Sequence, residues 1–417
     1  MSPSTHEVCV ETVGADGDGI AHANGRALRV PGGLPGERVR LTVVDRSPLV
    51  EPLTRSPERV EPACPVFDHC GGCTLQHASP TLQRDLRLAA LRRALPASLR
   101  ELPVEWRPAP AAWGWRTRAR LAWESDGIAV RLGHRARRSH RVTDTRACPV
   151  LAPALEASLP AVAAALARIR GQGEVALALG RDGSPVASVH VARGALDARA
   201  YTVGEALRAQ GFAGAVLWGE SPTPLTVVGD PAPVTVGGDG SPLVLAPDGF
   251  AQANAGFNPA LAGEVLARAR ATGRKVLELY AGAGNFTVAL APAAAAVVAV
   301  ESDRGATRAL RENLRARGID NVTVRDEPAE RCADVRADVV VLDPPRTGAR
   351  AVCEALAARP VAKTVVYVSC DPATLGRDLA ALLPRYRVTS LTAFEMFPHT
   401  AHVEVVAALG LITGRMP

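Results

Sequence analysis

Lysine is almost missing from this chain: of its 48 basic residues only Lys275 and Lys363 are lysines. A formal net charge of +6 carried by arginine can reflect coding bias as readily as a polyanionic partner, so where the arginines lie matters more than their number. Long apolar runs are also missing. The longest, Val288 to Val300, is alanine-rich, is interrupted by Pro292 and is too short to span a bilayer. Met1-Ser2-Pro3-Ser4-Thr5-His6-Glu7 lacks the basic-then-apolar pattern of a signal peptide, so a soluble, cytoplasmic protein without a membrane partner is expected, acting as a monomer. No internal repeat is present. With 47% hydrophobic residues the 417-residue chain is too apolar for a disordered class and long enough for two or three cores. Eight cysteines spread over this length read as metal ligands or catalytic thiols, not as a disulfide framework.

What is present divides the chain in three. Residues 1–58 are short strand-like stretches (Val8 to Val13, Ala27 to Val30, Arg38 to Val44) broken by Gly17-Asp18-Gly19 and Pro31-Gly32-Gly33, the pattern of a small β-barrel. Residues 59–245 begin with a cysteine-bearing loop and a helix over Thr81 to Leu95. They continue as an α+β section with an alanine-rich helix over Pro153 to Arg170. Residues 246–417 alternate strands (Lys275 to Leu279, Val297 to Val300, Val322 to Arg325, Val339 to Leu342, Thr364 to Ser369) with helical patterns. That alternation predicts an α/β fold with a mostly parallel, doubly wound sheet.

Aromatic residues make up only 4% of the chain, yet Trp113, Trp115 and Trp123 lie among Arg116, Arg118, Arg120, Arg131, Arg135, Arg137, Arg138 and Arg141, with few acids nearby in sequence. Guanidinium groups neutralise phosphates and indoles stack on unpaired bases, so this segment is a candidate for single-stranded RNA. A solvated basic face over core tryptophans fits it equally well.

The chemistry-bearing residues fall at strand ends of the third section. Tyr280-Ala281-Gly282-Ala283-Gly284-Asn285 follows a buried-strand run and lets backbone approach a ligand. Glu301, about twenty residues on, can accept ribose hydroxyls. Because the phosphate pattern Gly-x-Gly-x-x-Gly is incomplete, an adenosyl cofactor suits the loop better than a dinucleotide. Asp343-Pro344-Pro345-Arg346 fixes a carboxylate after one strand, Cys370 ends another, and Glu404 stands in His402-Val403-Glu404. A thiol and two acids at the ligand edge of one sheet can carry out covalent catalysis. Gln252 and Asn254 add two amides able to read a base edge.

In Phe250-x-Gln252-x-Asn254, Leu279-Tyr280-Ala281-Gly282-x-Gly284-Asn285-Phe286-Thr287, Asp343-Pro344-Pro345-Arg346-x-Gly348, Tyr367-Val368-Ser369-Cys370 and Phe397-Pro398-His399-Thr400-x-His402-Val403-Glu404, the chain resembles the uracil-5 RNA methyltransferases. Gly19-Ile20-Ala21, Gly25-Arg26 and Pro35-Gly36-Glu37-Arg38-Val39 resemble a TRAM domain, an OB-like RNA-binding barrel. The resemblance implies a Rossmann-like class I methyltransferase domain and S-adenosylmethionine as methyl donor. Cys370 is then the nucleophile toward uracil carbon 6 and Glu404 the base at carbon 5. Gln252, Tyr280, Asn285, Glu301 and Asp343 would line the cofactor and base site, with Asp326 at the adenine. The target is an exposed or flipped-out uridine, in ribosomal RNA ahead of transfer RNA. Two positions depart from the family: Asp371 where Asn is usual and Glu278 where Asp is common. The rival readings are a noncatalytic RNA-binding protein and a cytosine-5 or amino-group methyltransferase.

Cys64, Cys70, Cys73 and Cys148 form a four-thiol set around Cys70-Gly71-Gly72-Cys73. Zinc and a 4Fe-4S cluster both accept four thiolates, and the spacing does not choose between them. The family resemblance implies the cluster. The remaining cysteines, Cys9, Cys332 and Cys353, read as ordinary apolar residues.

Overall fold

The computed structural model describes residues 4–413 except 15, 45–46, 195–198 and 222. Its largest element is an eight-stranded sheet. Across it run Val322–Asp326, Ala296–Glu301, Lys275–Leu279, Val339–Leu342, Thr364–Ser369, Glu404–Leu411, Tyr386–Phe394 and Val104–Arg107. The first five are parallel, and Glu404–Leu411 enters antiparallel between Thr364–Ser369 and Tyr386–Phe394.

Period-two alternation explains why both faces are covered. Val339, Val341, Val366 and Val368 point to one side, against Leu261 and Val265 of the helix Asn258–Ala269. Val340, Leu342, Val365 and Tyr367 point to the other. There they meet Val352 and Leu356 of the helix Arg350–Ala358 and Leu375 and Leu379 of the helix Pro372–Leu382. The doubly wound sheet expected of the third section is thus formed, with one addition: Val104–Arg107, from the middle of the chain, pairs in parallel with Leu391–Phe394 at the sheet's edge.

The middle section carries its own six-stranded sheet, ordered Pro224–Gly229, Gly214–Trp218, Pro185–Gly194, Arg170–Leu179, Arg118–Asp126, Val130–Gly133. Helices Pro153–Leu166 and Arg199–Ala209 cover one face through Leu155, Leu159, Val162, Val203 and Leu207. The first of these stops at Leu166, short of the expected Arg170, because Arg170 is drawn into the sheet opposite Asp126.

At the amino end, two three-stranded antiparallel sheets share a core of Val8, Val10, Ala21, Val30 and Val39. The run Val8 to Val13 is two strands, not one. At Val10 and Glu11 the backbone turns from Glu37 O to Ile20 O and so passes from one sheet to the other. A buried carboxylate joins this module to the cysteine loop: Glu37 accepts Arg59 Nε at 2.6 Å. Among the described residues no helix is long and apolar enough to cross a membrane.

Candidate active site

The parallel strands end together, so the residues after them share one edge. Glu301 stands opposite Asp326, Leu279 opposite Leu342 and Leu342 opposite Tyr367. Tyr280, Glu301, Asp326, Asp343 and Cys370 therefore line the carboxyl end of one sheet, where open α/β folds take their ligands. Glu404 joins them from the antiparallel strand. Ser369 pairs with Val405, which sets Cys370 and Glu404, the next residues along, across from each other.

Burial opposes ionisation of all three acidic groups, and Asp343 adds to it at Cys370 and Glu404. Burial, then Glu404 and Asp343, push the Cys370 thiol up to about 12, against the pull of Arg346. Burial also raises Asp343 to about 7, although Gln252 Nε2 donates to its Oδ2 at 3.2 Å. Glu404 is 2% exposed, its Oε1 has no partner, and burial followed by Asp343 holds its proton well above the usual carboxylate range. A carboxylate desolvated in this way is a stronger base, once ionised, than one in water. Arg346 is the site's cation, with Nη2 3.5 Å from His402 Nε2. Burial, then Arg346, lowers His402 to about 4, so its ring is neutral.

Local backbone chemistry aims the thiol. Asp371 caps the helix Pro372–Leu382, its Oδ1 accepting Thr374 N at 2.9 Å. Pro372 then occupies the first helical turn, where no amide donor is needed. Asp serves this cap as well as Asn, which accounts for the departure at this position, although its charge adds to the upward push on Cys370.

On the cofactor side, Glu301 steadies the glycine loop: its Oε2 accepts Gly282 N at 3.0 Å and its Oε1 accepts Asp303 N at 2.8 Å. Gly284 has φ +96, and a Cβ there would lie 2.3 Å from Leu310 Cδ1. Tyr280 adopts φ +64 and donates its hydroxyl to Glu330 at 3.3 Å. Asn285 exchanges amide bonds with Asn258, at 3.0 and 2.6 Å. Asn258 opens the helix Asn258–Ala269, is buried, and was missed in the sequence; the one signal was an Asn-Pro step before a helical run. Asp326 is exposed and gripped by Arg311 Nη2, 3.0 Å from both carboxylate oxygens. Glu278 faces inward beside Thr287 and is raised to about 8, chiefly by burial, with Thr287 opposing the rise.

Residues 243–411 match the family described as tRNA (Uracil-5-)-methyltransferase. Over 418 residues and 95% of both chains, the sequence is 36% identical to the 23S rRNA (uracil(1939)-C(5))-methyltransferase RlmD of Enterobacter sp. (strain 638). The chain belongs to the RNA uracil-5 methyltransferase family. A second relative, RlmD of Chromohalobacter salexigens, is 35% identical over 97% of this chain and 89% of its own. The crystal structure of Pyrococcus abyssi tRNA (uracil-54, C5)-methyltransferase in complex with S-adenosyl-L-homocysteine superposes with a TM-score of 0.74. It covers 97% of this chain and all of its own at 23% identity, and shows the same fold. The protein is thus an RNA uracil-5 methyltransferase.

In the methyltransferase several of the amide, tryptophan and arginine side chains singled out in the sequence are engaged within the fold. The Asn254 amide is bonded within the fold, its Oδ1 accepting Phe257 N and its Nδ2 donating to Met396 O. Trp115 and Trp123 are core residues, and Trp113 stacks on His399 with ring centroids 3.9 Å apart. The basic segment has acidic partners after all, supplied by distant chain. Arg120 pairs with Glu174 and Asp248, Arg135 with Glu174, and Arg138 with Asp16 and Asp18.

Cys70, Cys73 and Cys148 are largely buried and influence one another's charge, with Cys64 acting on the first two. Burial raises Cys73 to about 11 and Cys148 to about 12, while Arg116 acts on Cys70, Cys73 and Cys148 in the opposite sense. Gly72 N donates to Cys70 Sγ at 3.3 Å. Among the described residues no three His, Cys, Asp or Glu side chains stand close enough to hold a metal ion as they are.

Proposed function

We propose that this methyltransferase makes 5-methyluridine in 23S ribosomal RNA, with Cys370 as nucleophile and Glu404 as base. The observation that carries the reading is the placement of Cys370 across from Glu404, beside Asp343, at the ligand edge of the sheet. The ribosomal target rests on two relatives of that printed specificity, each matched over nearly its whole length.

Carbon 5 of uracil is a weak nucleophile. The Cys370 thiolate adds to carbon 6, and the resulting enolate attacks the sulfonium methyl at carbon 5, breaking the sulfur–methyl bond. Glu404 then takes the proton from carbon 5, the bond from carbon 6 to sulfur breaks, and free thiolate returns. S-Adenosylmethionine supplies the activated methyl group. Gln252, Tyr280, Asn285, Glu301 and Asp343 hold cofactor and base, and Asp326 meets the adenine. The uracil must leave its stack to reach a partly buried thiol, so the uridine lies in a single-stranded or flipped-out context. A cleft of ≈ 1070 Å³ between the amino-terminal module and the cysteine loop, lined by Arg55, Arg59, Arg137 and Arg138 together with Asp16, Asp18, Glu37 and Glu61, reaches His402 and offers the RNA a route to that thiol with guanidinium groups along it.

The four cysteines would hold a 4Fe-4S cluster. Cys70, Cys73 and Cys148 lie in the field of the buried Arg116 guanidinium, which suits a cofactor whose thiolate ligands bring negative charge, and the loop bearing Cys64, Cys70 and Cys73 would have to close on Cys148 to hold it. Iron and sulfide assay after anaerobic purification tests this; stoichiometric zinc without iron would defeat it. For the reaction, Glu404→Gln is expected to accumulate a denaturant-resistant RNA adduct and Cys370→Ala to form none. An adduct with Cys370→Ala would remove Cys370 from its role. Mass mapping of 23S rRNA from a deletion strain should show one 5-methyluridine lost, and an unchanged map would reject the ribosomal target.

A further inference from the structure

The seven residues before His402 are fixed mainly from the amino-terminal half of the chain. Arg87, on the helix Pro80–Ala94, is 1% exposed, and every nitrogen of its guanidinium is used. Nε donates to Thr400 O at 2.9 Å, Nη1 to Glu395 Oε1 at 2.7 Å, and Nη2 to Gln83 Oε1 at 3.2 Å and Phe397 O at 3.4 Å. Gln83, one turn earlier, accepts His399 N at 3.1 Å on the same Oε1, and its Nε2 lies 3.4 Å from His399 Nδ1. From the loop before this helix, Thr74 N and Leu75 N both donate to His399 O at 2.9 Å, and Thr74 Oγ1 accepts Ala401 N at 2.9 Å.

These bonds hold an unfavourable backbone. His399 has φ +66, a region that residues bearing a Cβ seldom occupy unless the surroundings over-determine it. The far end of the same helix reaches the other reacting group. A Cβ on Gly376, in the helix that Asp371 caps after Cys370, would lie 2.0 Å from Ala94 O, so the two helices touch backbone to side-chain-free backbone. One rigid element therefore touches the loop leading to Glu404 at its beginning and the helix leading from Cys370 at its end.

We propose that the helix Pro80–Ala94 is a brace that sets the position of Glu404 relative to Cys370, with Arg87 and Gln83 as positioning residues for removal of the carbon 5 proton. The proposal rests on the nucleophile and base roles given above. Loosening the brace shifts the base loop while Cys370 stays on its own strand, so the proton-removal step suffers more than thiol addition. An error of about 1 Å in such placement costs on the order of 100-fold.

The test uses the full-length protein and a 23S rRNA transcript tritiated at carbon 5 of its uridines. Denaturing gels measure adduct and tritium release measures proton removal, in wild type, Gln83→Leu, Arg87→Lys, Arg87→Met and Glu404→Gln. Gln83→Leu and Arg87→Met are expected to slow tritium release about tenfold or more while a larger share of the protein is trapped as adduct, with KM for RNA within about twofold of wild type. Arg87→Lys, which keeps a donor and a charge, should recover part of the release. Parallel loss of adduct and release in Gln83→Leu and Arg87→Lys, or no change in either, overturns the brace. If Glu404→Gln itself traps no adduct, the base assignment fails and the brace fails with it.

Discussion

Burial works against ionisation of Cys370, Asp343 and Glu404 alike, Asp343 adds to it at both of the others and Glu404 adds to it at Cys370, so the three do not all carry charge together. For Cys370 the consequence is kinetic. With the thiol pushed up to about 12, the thiolate is scarce near neutrality, so single-turnover adduct formation is expected to rise with pH by about tenfold per unit between 7 and 9. A flat profile there would mean that bound RNA or cofactor, not solvent pH, sets the thiolate fraction. Asp343 has a thermodynamic consequence. The folded chain keeps this proton to about 7, whereas an unfolded aspartate loses it near 4, so between those values the folded state binds more protons and loses stability as pH rises. The melting advantage of Asp343→Asn over wild type should accordingly be larger at pH 8 than at pH 5, as scanning calorimetry can measure. The same acid favours the cationic sulfonium once ionised, so S-adenosylmethionine should bind more tightly at pH 8 than at pH 6. S-Adenosylhomocysteine, which lacks that charge, should change less.

The elements depend on a few places where backbone meets backbone or buried polar groups. Gly348, just after Asp343-Pro344-Pro345-Arg346, has φ +75, and a Cβ there would lie 2.5 Å from Asp378 Oδ2 and 2.4 Å from Arg377 Nη2. Asp378 is fully buried and accepts Ala349 N at 2.6 Å and the Tyr367 hydroxyl at 2.7 Å, tying that turn to the helix after Cys370. Gly348→Ala is therefore expected to cost about 1–3 kcal/mol in denaturant unfolding and to lower kcat as the turn shifts. Strand ends were the legible part of this architecture. Apolar runs such as Val339 to Leu342, each followed by a residue with chemistry, located Asp343 and Cys370 directly. Arg87, Glu395 and Gln83 were not legible, because their partners lie some 300 positions away and nothing local in Gln83-Arg84-Asp85-Leu86-Arg87 distinguishes a buried guanidinium from a solvated one.

The arginine-rich segment shows the same limit across the whole molecule. Read alone it is a basic patch, but folding brings Asp16, Asp18, Glu174 and Asp248 against it. The cleft edge carries Arg55, Arg59 and Arg137, which also face acids, Glu61, Glu37 and Asp18 in turn, so a polyanion there meets guanidinium groups set among carboxylates. Each of Arg55 and Arg131 faces one acid, Glu61 at 3.9 Å and Glu124 at 3.8 Å, but Arg55 lines the cleft that reaches His402 and Arg131 does not, so RNA affinity should fall more on replacing Arg55 with alanine than on replacing Arg131. Binding isotherms over a salt series would check this, the slope dropping by about one phosphate contact for Arg55→Ala alone.

Val104–Arg107 ends as the outermost rung of a ladder that is otherwise entirely carboxyl-terminal. A fragment excised from residue 246 onward would leave Tyr386–Phe394 with a bare row of amide and carbonyl groups, ready to recruit another chain. It would also strand the Glu395 carboxylate without Arg87. The catalytic half is thus not a portable module. Attempts to shorten the enzyme, or to graft its chemistry onto another RNA reader, would have to carry that borrowed rung along.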